Sequence, residues 1–237
     1  MSSITTTLLL VLQEQGATPQ FGGGGSLDFG QIWESGGFMM WPLGFLLAVG
    51  VLISIWKFID LQIKASKTRS LLDEVDELIA DHRIDEALQR CEESDAPAAR
   101  ILKAGLKRHD QGTERAMRAV ENAGVVELAS LERGLVWLAT IANVAPLLGF
   151  LGTVIGMIIA FQNIELAGEV EATLVAGGIK VALITTASGL AIAIPVNIFH
   201  NYFVTRVDRL VINMEESTQK MIDALHAIEE QRAGGTG

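Results

Sequence analysis

Three stretches of the chain are nearly free of charge, and polar residues crowd into what lies between them. Residues 135–161 and 173–203 are apolar, with no carboxylate between positions 135 and 163 or between 173 and 205, and residues 38–59 form a third such run. Each is longer than the about 20 apolar residues a helix needs to cross a bilayer. The intervening segments carry helical periodicity. Leu71, Leu72, Val75, Leu78 and Ile79 recur among Asp73, Glu74, Asp76 and Glu77, the pattern of one buried stripe and one wet face. Short helices are expected over 84–91 and 98–108. They are separated by Ser94-Asp95-Ala96-Pro97, with Pro97 in a first turn and Asp95 or Ser94 as its cap. From Thr113 the pattern continues through Val120, Val125, Leu128 and Leu131 into the next apolar run. This predicts one long helix with Gly124 and Gly134 as its weak points. After the last run, Val207, Leu210, Met214, Ser217, Met221, Leu225 and Ile228 alternate by three and four, a stripe that seeks partner helices. The fold class is therefore all-α. The expected architecture is a polytopic membrane protein with three transmembrane helices, the second and third extending into a helical bundle in water.

Composition sharpens the topology. The chain has 237 residues, a mean hydropathy of +0.36 and a net charge of −10. No Lys or Arg precedes Lys57, and none lies between Arg133 and Lys180. Basic loops mark the cytoplasmic side, whereas acidic residues contribute little to orientation. The expectation is a multi-pass membrane protein with an outward, periplasmic N-terminus and a cytoplasmic C-terminus. Its parts are a periplasmic segment at 1–37, a first span at 38–59 and a cytoplasmic helical region at 60–133. A second span at 134–162, a periplasmic loop at 163–172, a third span at 173–204 and a cytoplasmic helix and tail at 205–237 follow. Residues 8–12 are too short to span and follow no basic residue, so 1–37 reads as a retained segment with Gly22 to Gly25 as its hinge. Trp33, Met39, Met40 and Trp41 read as an interfacial anchor.

Candidate chemistry is sparse. Cys91 is a lone thiol, and His82, His109, His200 and His226 lack metal-ligand spacing. With no nucleophile–base constellation or phosphate loop, neither enzyme activity nor a metal or cofactor is expected. The polar residues inside the spans carry the signal instead. Gly152 and Gly156 are four apart with Gly149 beside them, a small face that admits another backbone. Pro146 and Pro195 remove a helix hydrogen bond, and Pro146 is expected to bend its helix below Thr153. Thr153, Thr185, Thr186 and Ser188 place hydroxyls, and Lys180 a charge, in otherwise apolar helices. Lys180 reads as the only basic residue in a span. It is expected to snorkel toward Glu169, Glu171 or Glu165, or else to face a lumen. Asn143, Asn197 and Asn201 are expected to bond between helices.

Two strings in these spans resemble the MotA/TolQ/ExbB proton-channel family, most closely its ExbB/TolQ branch. They are Leu138-Ala139-Thr140-Ile141-Ala142 through Ala145-Pro146-Leu147-Leu148-Gly149-Phe150-Leu151-Gly152-Thr153-Val154, and Gly178-Ile179 through Ala182-Leu183-Ile184-Thr185-Thr186-Ala187, Gly189-Leu190 and Ala193-Ile194-Pro195. The resemblance covers about residues 33–216. It implies a homopentamer of the bacterial inner (cytoplasmic) membrane whose second and third helices, with Gly189 among their packing residues, line a central pore. It also implies an ExbD/TolR-like single-span partner that supplies a membrane aspartate, and work delivered to a periplasmic or outer-membrane partner, in the ExbB branch a TonB-like protein. Thr153 and Thr186 match the family's two pore-facing threonines. Where many relatives carry a glutamate in the third span, this chain has Val181 after Lys180. The titrating acid would then come from the partner. The coupled ion, proton or sodium, stays open, and so does a second reading, a membrane scaffold whose helices tether other proteins.

Overall fold

The computed structural model describes residues 29–81 and 83–234, and among them every regular element is helical. The expected N-terminal segment with its glycine hinge lies outside the described residues up to position 28; beyond it, α1 (Phe29–Ser35) is already a short helix. A single 3-10 turn leads into α2 (Met40–Ala80), 41 residues that begin as the first span and continue without a break past the apolar run. Then come α3 (Ile84–Glu93), α4 (Pro97–Leu106), α5 (Thr113–Glu132), α6 (Leu135–Ala167) and α7 (Ala172–Gly234). Three of these, α2, α6 and α7, are long and apolar enough to cross a membrane. The 63 residues of α7 extend about 95 Å at 1.5 Å per residue, far beyond a bilayer about 30 Å thick in its hydrocarbon core.

Helix ends follow local chemistry. Pro97 opens α4, but the N-cap is Ala96 and neither Ser94 nor Asp95 caps the first turn; the Ser94 hydroxyl accepts the Ala96 amide at 3.2 Å, a local turn before the helix. Between α5 and α6 the expected single helix is interrupted. Arg133 is extended in ψ, and Gly134 takes φ +93°, a left-handed conformation that only glycine adopts at no steric cost. The weak point read at Gly134 is thus a true break, and it is α2 and α7, not α6, that run on into the aqueous half. Gly168, at φ +74°, ends α6 and turns the chain into α7.

α6 and α7 form an antiparallel hairpin, with α2 laid against both. Beyond the apolar runs, α3, α4 and α5 close around the extensions of α2 and α7. The core there contains Val75, Ile79, Ala87, Cys91, Leu102, Leu106, Val120, Met221 and Leu225, which absorbs the stripes seen in the sequence. Ion pairs tie the rim: Arg90 with Glu74, Lys107 with Glu92, and Lys220 with Asp76. Glu127 is buried, and Arg100 reaches it with two hydrogen bonds of 2.8 and 2.9 Å, the forked geometry that favours arginine over lysine.

Cys91 is buried in this core, and desolvation pushes its thiol up to about 11. The thiolate is the reactive form. We expect Cys91 to resist alkylation at neutral pH in the folded protein and to label only as the bundle unfolds. A rate that matched free cysteine, followed by mass spectrometry, would contradict the packed core.

Candidate ion-conducting site

The α6–α7 hairpin is built on absent side chains. A Cβ on Gly149 would stand 2.9 Å from the Thr185 carbonyl oxygen and 3.3 Å from the Gly189 Cα; one on Gly156 would stand 2.8 Å from the Gly178 oxygen. One on Gly189 would stand 2.6 Å from the Ala145 oxygen. Backbones therefore touch along three turns, the geometry that small residues permit in membranes. Pro146 and Pro195 both lie inside unbroken helices.

This contact sets the depth of the hydroxyls. Gly152 lies directly against the Thr185 side chain, so its neighbour Thr153 falls in the same slab as Thr185 and Thr186. The three differ in environment. Thr185 is fully buried, its hydroxyl shared between its own helix's Val181 and Ala182 carbonyls at 3.0 Å each. Within this chain it is a wedge in the contact between α6 and α7. Thr186 is half-buried and donates across the hairpin to the Gly149 carbonyl at 3.3 Å and back to Ala182 at 3.1 Å. Thr153, also half-buried, donates to the Phe150 carbonyl at 2.6 Å. A threonine hydroxyl that donates its proton to a carbonyl keeps two lone pairs as acceptors. Both partly open threonines thus present oxygen acceptors at one depth. Ser188 is half-buried on α7, one turn further along.

Lys180 is exposed, and among the described residues it has no ion-pair partner. The expected pairing with Glu165, Glu169 or Glu171 is not formed. Asn143, Asn197 and Asn201 are exposed and make no hydrogen bond to another helix among the described residues; the Asn201 side chain meets its neighbour His200, and its carbonyl accepts the Thr205 hydroxyl on the same helix. At the far end, Trp33 and Trp41 pack edge to face at 5.6 Å.

Lys57 is the buried charge that sequence reasoning passed over. It lies at the end of the first apolar run, so Lys180 is not the only basic residue in a span. Its ammonium is fully buried and donates to the Leu131 carbonyl at 2.6 Å and the Arg133 carbonyl at 3.0 Å. These are among the free carbonyls of the α5 C-terminus, where the helix dipole also favours a cation. Trp56, next in the chain, covers Gly134. The joint between the aqueous helices and the second span is thus clamped from α2. A lone lysine inside an apolar run was the available signal, but its position beside the basic region made it read as the first inward charge.

A glycine-packed, hydroxyl-bearing hairpin and three helices long and apolar enough to cross a membrane define a class: polytopic helical membrane proteins. Within it, residues 93–216 match the MotA/TolQ/ExbB proton channel family. The chain is 31% identical over 186 residues to an ExbB homologue of Methanothermobacter thermautotrophicus, covering 78% of this chain and 66% of that one. It is 32% identical over 191 residues to the biopolymer transport protein ExbB-like 3 of Synechocystis, covering 78% and 89%. Against the Tol-Pal system protein TolQ of Haemophilus influenzae it is 38% identical over 125 residues, 53% of this chain and 52% of that one. The chain belongs to the MotA/TolQ/ExbB proton channel family, a family of channel proteins rather than enzymes, and is a membrane protein of the ExbB/TolQ kind. It spans 66% or less of the length of the first three curated relatives it matches.

Proposed function

We propose that this protein is the ion-conducting, proton-coupled subunit of an inner-membrane motor of the ExbB/ExbD or TolQ/TolR type. Five copies form the ring, and α6 and α7 line its pore. An ExbD/TolR-like single-span subunit supplies the membrane aspartate, and the output is mechanical work on a periplasmic or outer-membrane partner, first among them a TonB-like protein serving outer-membrane transport. The observation that carries this reading is the pairing of Thr153 and Thr186, two half-buried hydroxyls at one depth on helices locked backbone to backbone. Val181 leaves the span without a carboxylate, which supports an acid borrowed from the guest helix. A carboxylate enclosed there would have its protonated form favoured by desolvation, as proton carriage requires. The basic segments 57–133 and 206–232 support an inward-facing bundle.

The test is ion flux in liposomes holding the chain with its single-span partner, under a proton gradient with and without sodium. Thr153→Ala and Thr186→Ala are each expected to lower flux at least about tenfold, the scale of losing one well-placed hydrogen bond, while the ring still assembles. Unchanged flux in both variants would remove these residues from the pathway. Flux that required sodium would reassign the ion.

A further inference from the structure

Between α2 and α7 the surface holds two grooves that meet at Phe58. The first, about 410 Å³, is lined by Leu47, Val51, Ile55, Phe58, Pro195 and Phe199. Its one hydroxyl, Ser54, donates to the Gly50 carbonyl at 2.7 Å, so the wall asks for no polar partner. From Leu47 to Phe58 it extends about 16 Å along the helix, close to the depth of one leaflet of a hydrocarbon core about 30 Å thick.

The second groove, about 390 Å³, continues toward the aqueous bundle and carries Arg69, Arg206, Arg209 and Tyr202. None of these arginines takes part in an ion pair among the described residues. Arg206 donates to the Tyr202 hydroxyl at 3.2 Å and lies over its ring, while Tyr202 stacks on Phe58 at 6.5 Å. Asp60 on α2 is already engaged by Lys57 and Lys64, and neither Asp73, four residues past Arg69 on α2, nor Asp208 lines the groove. Arg206 and Arg209 lie about 4.5 and 9 Å beyond the end of the apolar run 173–203, so Arg206 falls in the headgroup layer and Arg209 at its aqueous edge; Arg69, on the opposite wall, lies about 15 Å beyond the end of the run 38–59. In a chain of net charge −10, three uncompensated guanidinium groups at the foot of a leaflet-deep apolar slot are a local inversion of sign.

We propose that this composite groove binds an anionic phospholipid of the leaflet on the bundle side, its acyl chain along Val51 and Phe199 and its phosphate between Arg206 and Arg209. Arginine recognises phosphate through its forked donors, and each basic residue near the membrane surface strengthens attraction to anionic lipid. The site requires a membrane and this helix pair but not ion conduction, so its failure and that of the motor reading are separable.

The test uses the full chain in nanodiscs of equimolar phosphatidylglycerol and phosphatidylcholine, followed by native mass spectrometry of retained lipid. Wild type is expected to keep phosphatidylglycerol preferentially. The R206Q/R209Q variant is expected to lose that preference by about tenfold or more, and Arg209→Gln alone, at an exposed position, covers the case in which the pair misfolds. Val51→Trp, filling the slot, is expected to lose both lipids. Equal retention of the two lipids by wild type, or an unchanged preference in the charge variants, would overturn the proposal. So would a photocrosslinker at position 55 that captures a second copy of the chain instead of lipid.

Discussion

Gly189→Ala is expected to destabilise the folded chain by about 2–3 kcal/mol, and Gly189→Val by more. The added Cβ would meet the Ala145 carbonyl oxygen at 2.6 Å, the Gly149 Cα at 3.1 Å and the Gly149 nitrogen at 3.3 Å. All three are backbone atoms of α6, so no side chain can rotate aside; the helices must separate. Separation would cost more than one contact, because the approaches at Gly149, Gly152 and Gly156 lie on the same seam. It would also stretch the Thr186 bond to the Gly149 carbonyl, already 3.3 Å long. Gly124→Ala is the matched control. Nothing lies within 4 Å of its Cβ, and it sits inside α5, where alanine gains about 0.5–1 kcal/mol of helix propensity. Denaturant unfolding in detergent should therefore move in opposite directions for the two substitutions. Equal midpoints would mean that the hairpin is not locked at Gly189.

How much of this was legible beforehand depends on whether the determinant is local. The three apolar runs, the stripe from Val207 to Ile228 and the small face at Gly152 and Gly156 are periodic features, and periodicity survives in one dimension. The threonines were found as exceptions to an apolar background. The resemblance set Thr186 apart from Thr185, but periodicity alone could not. Adjacent residues on a helix point about 100° apart, and only the partner helix decides which is wedged against Gly152 and which stays half open. The missing pairing of Lys180 has the same origin. Glu165, Glu169 and Glu171 are near in sequence, but α6 runs to Ala167 before turning, and no side chain there meets the lysine. The break at Gly134 was weakly visible as a glycine; its clamp was not, because the clamping residue is more than 70 positions away.

That clamp yields the other large expected effect. Lys57→Ala should destabilise the protein by about 3–5 kcal/mol, the scale for breaking a buried charged interaction, whereas Lys57→Met should cost about 1–3 kcal/mol. Alanine removes the stem from a fully buried site and leaves the Leu131 and Arg133 carbonyls without their donor. Methionine refills most of the volume and removes a cation that was costly to bury, but it still strands the two carbonyls. The difference between the two variants therefore separates packing from hydrogen bonding at the same position. Amide hydrogen exchange over residues 131–138 should accelerate in both, more in Lys57→Ala, while the α6–α7 seam at Gly149 and Gly189 stays protected. Acceleration along the seam as well would mean that Lys57 supports the whole fold, and no local clamp. Localised acceleration would place a separable joint between the helical bundle and the α6–α7 hairpin, held by one ammonium group from α2.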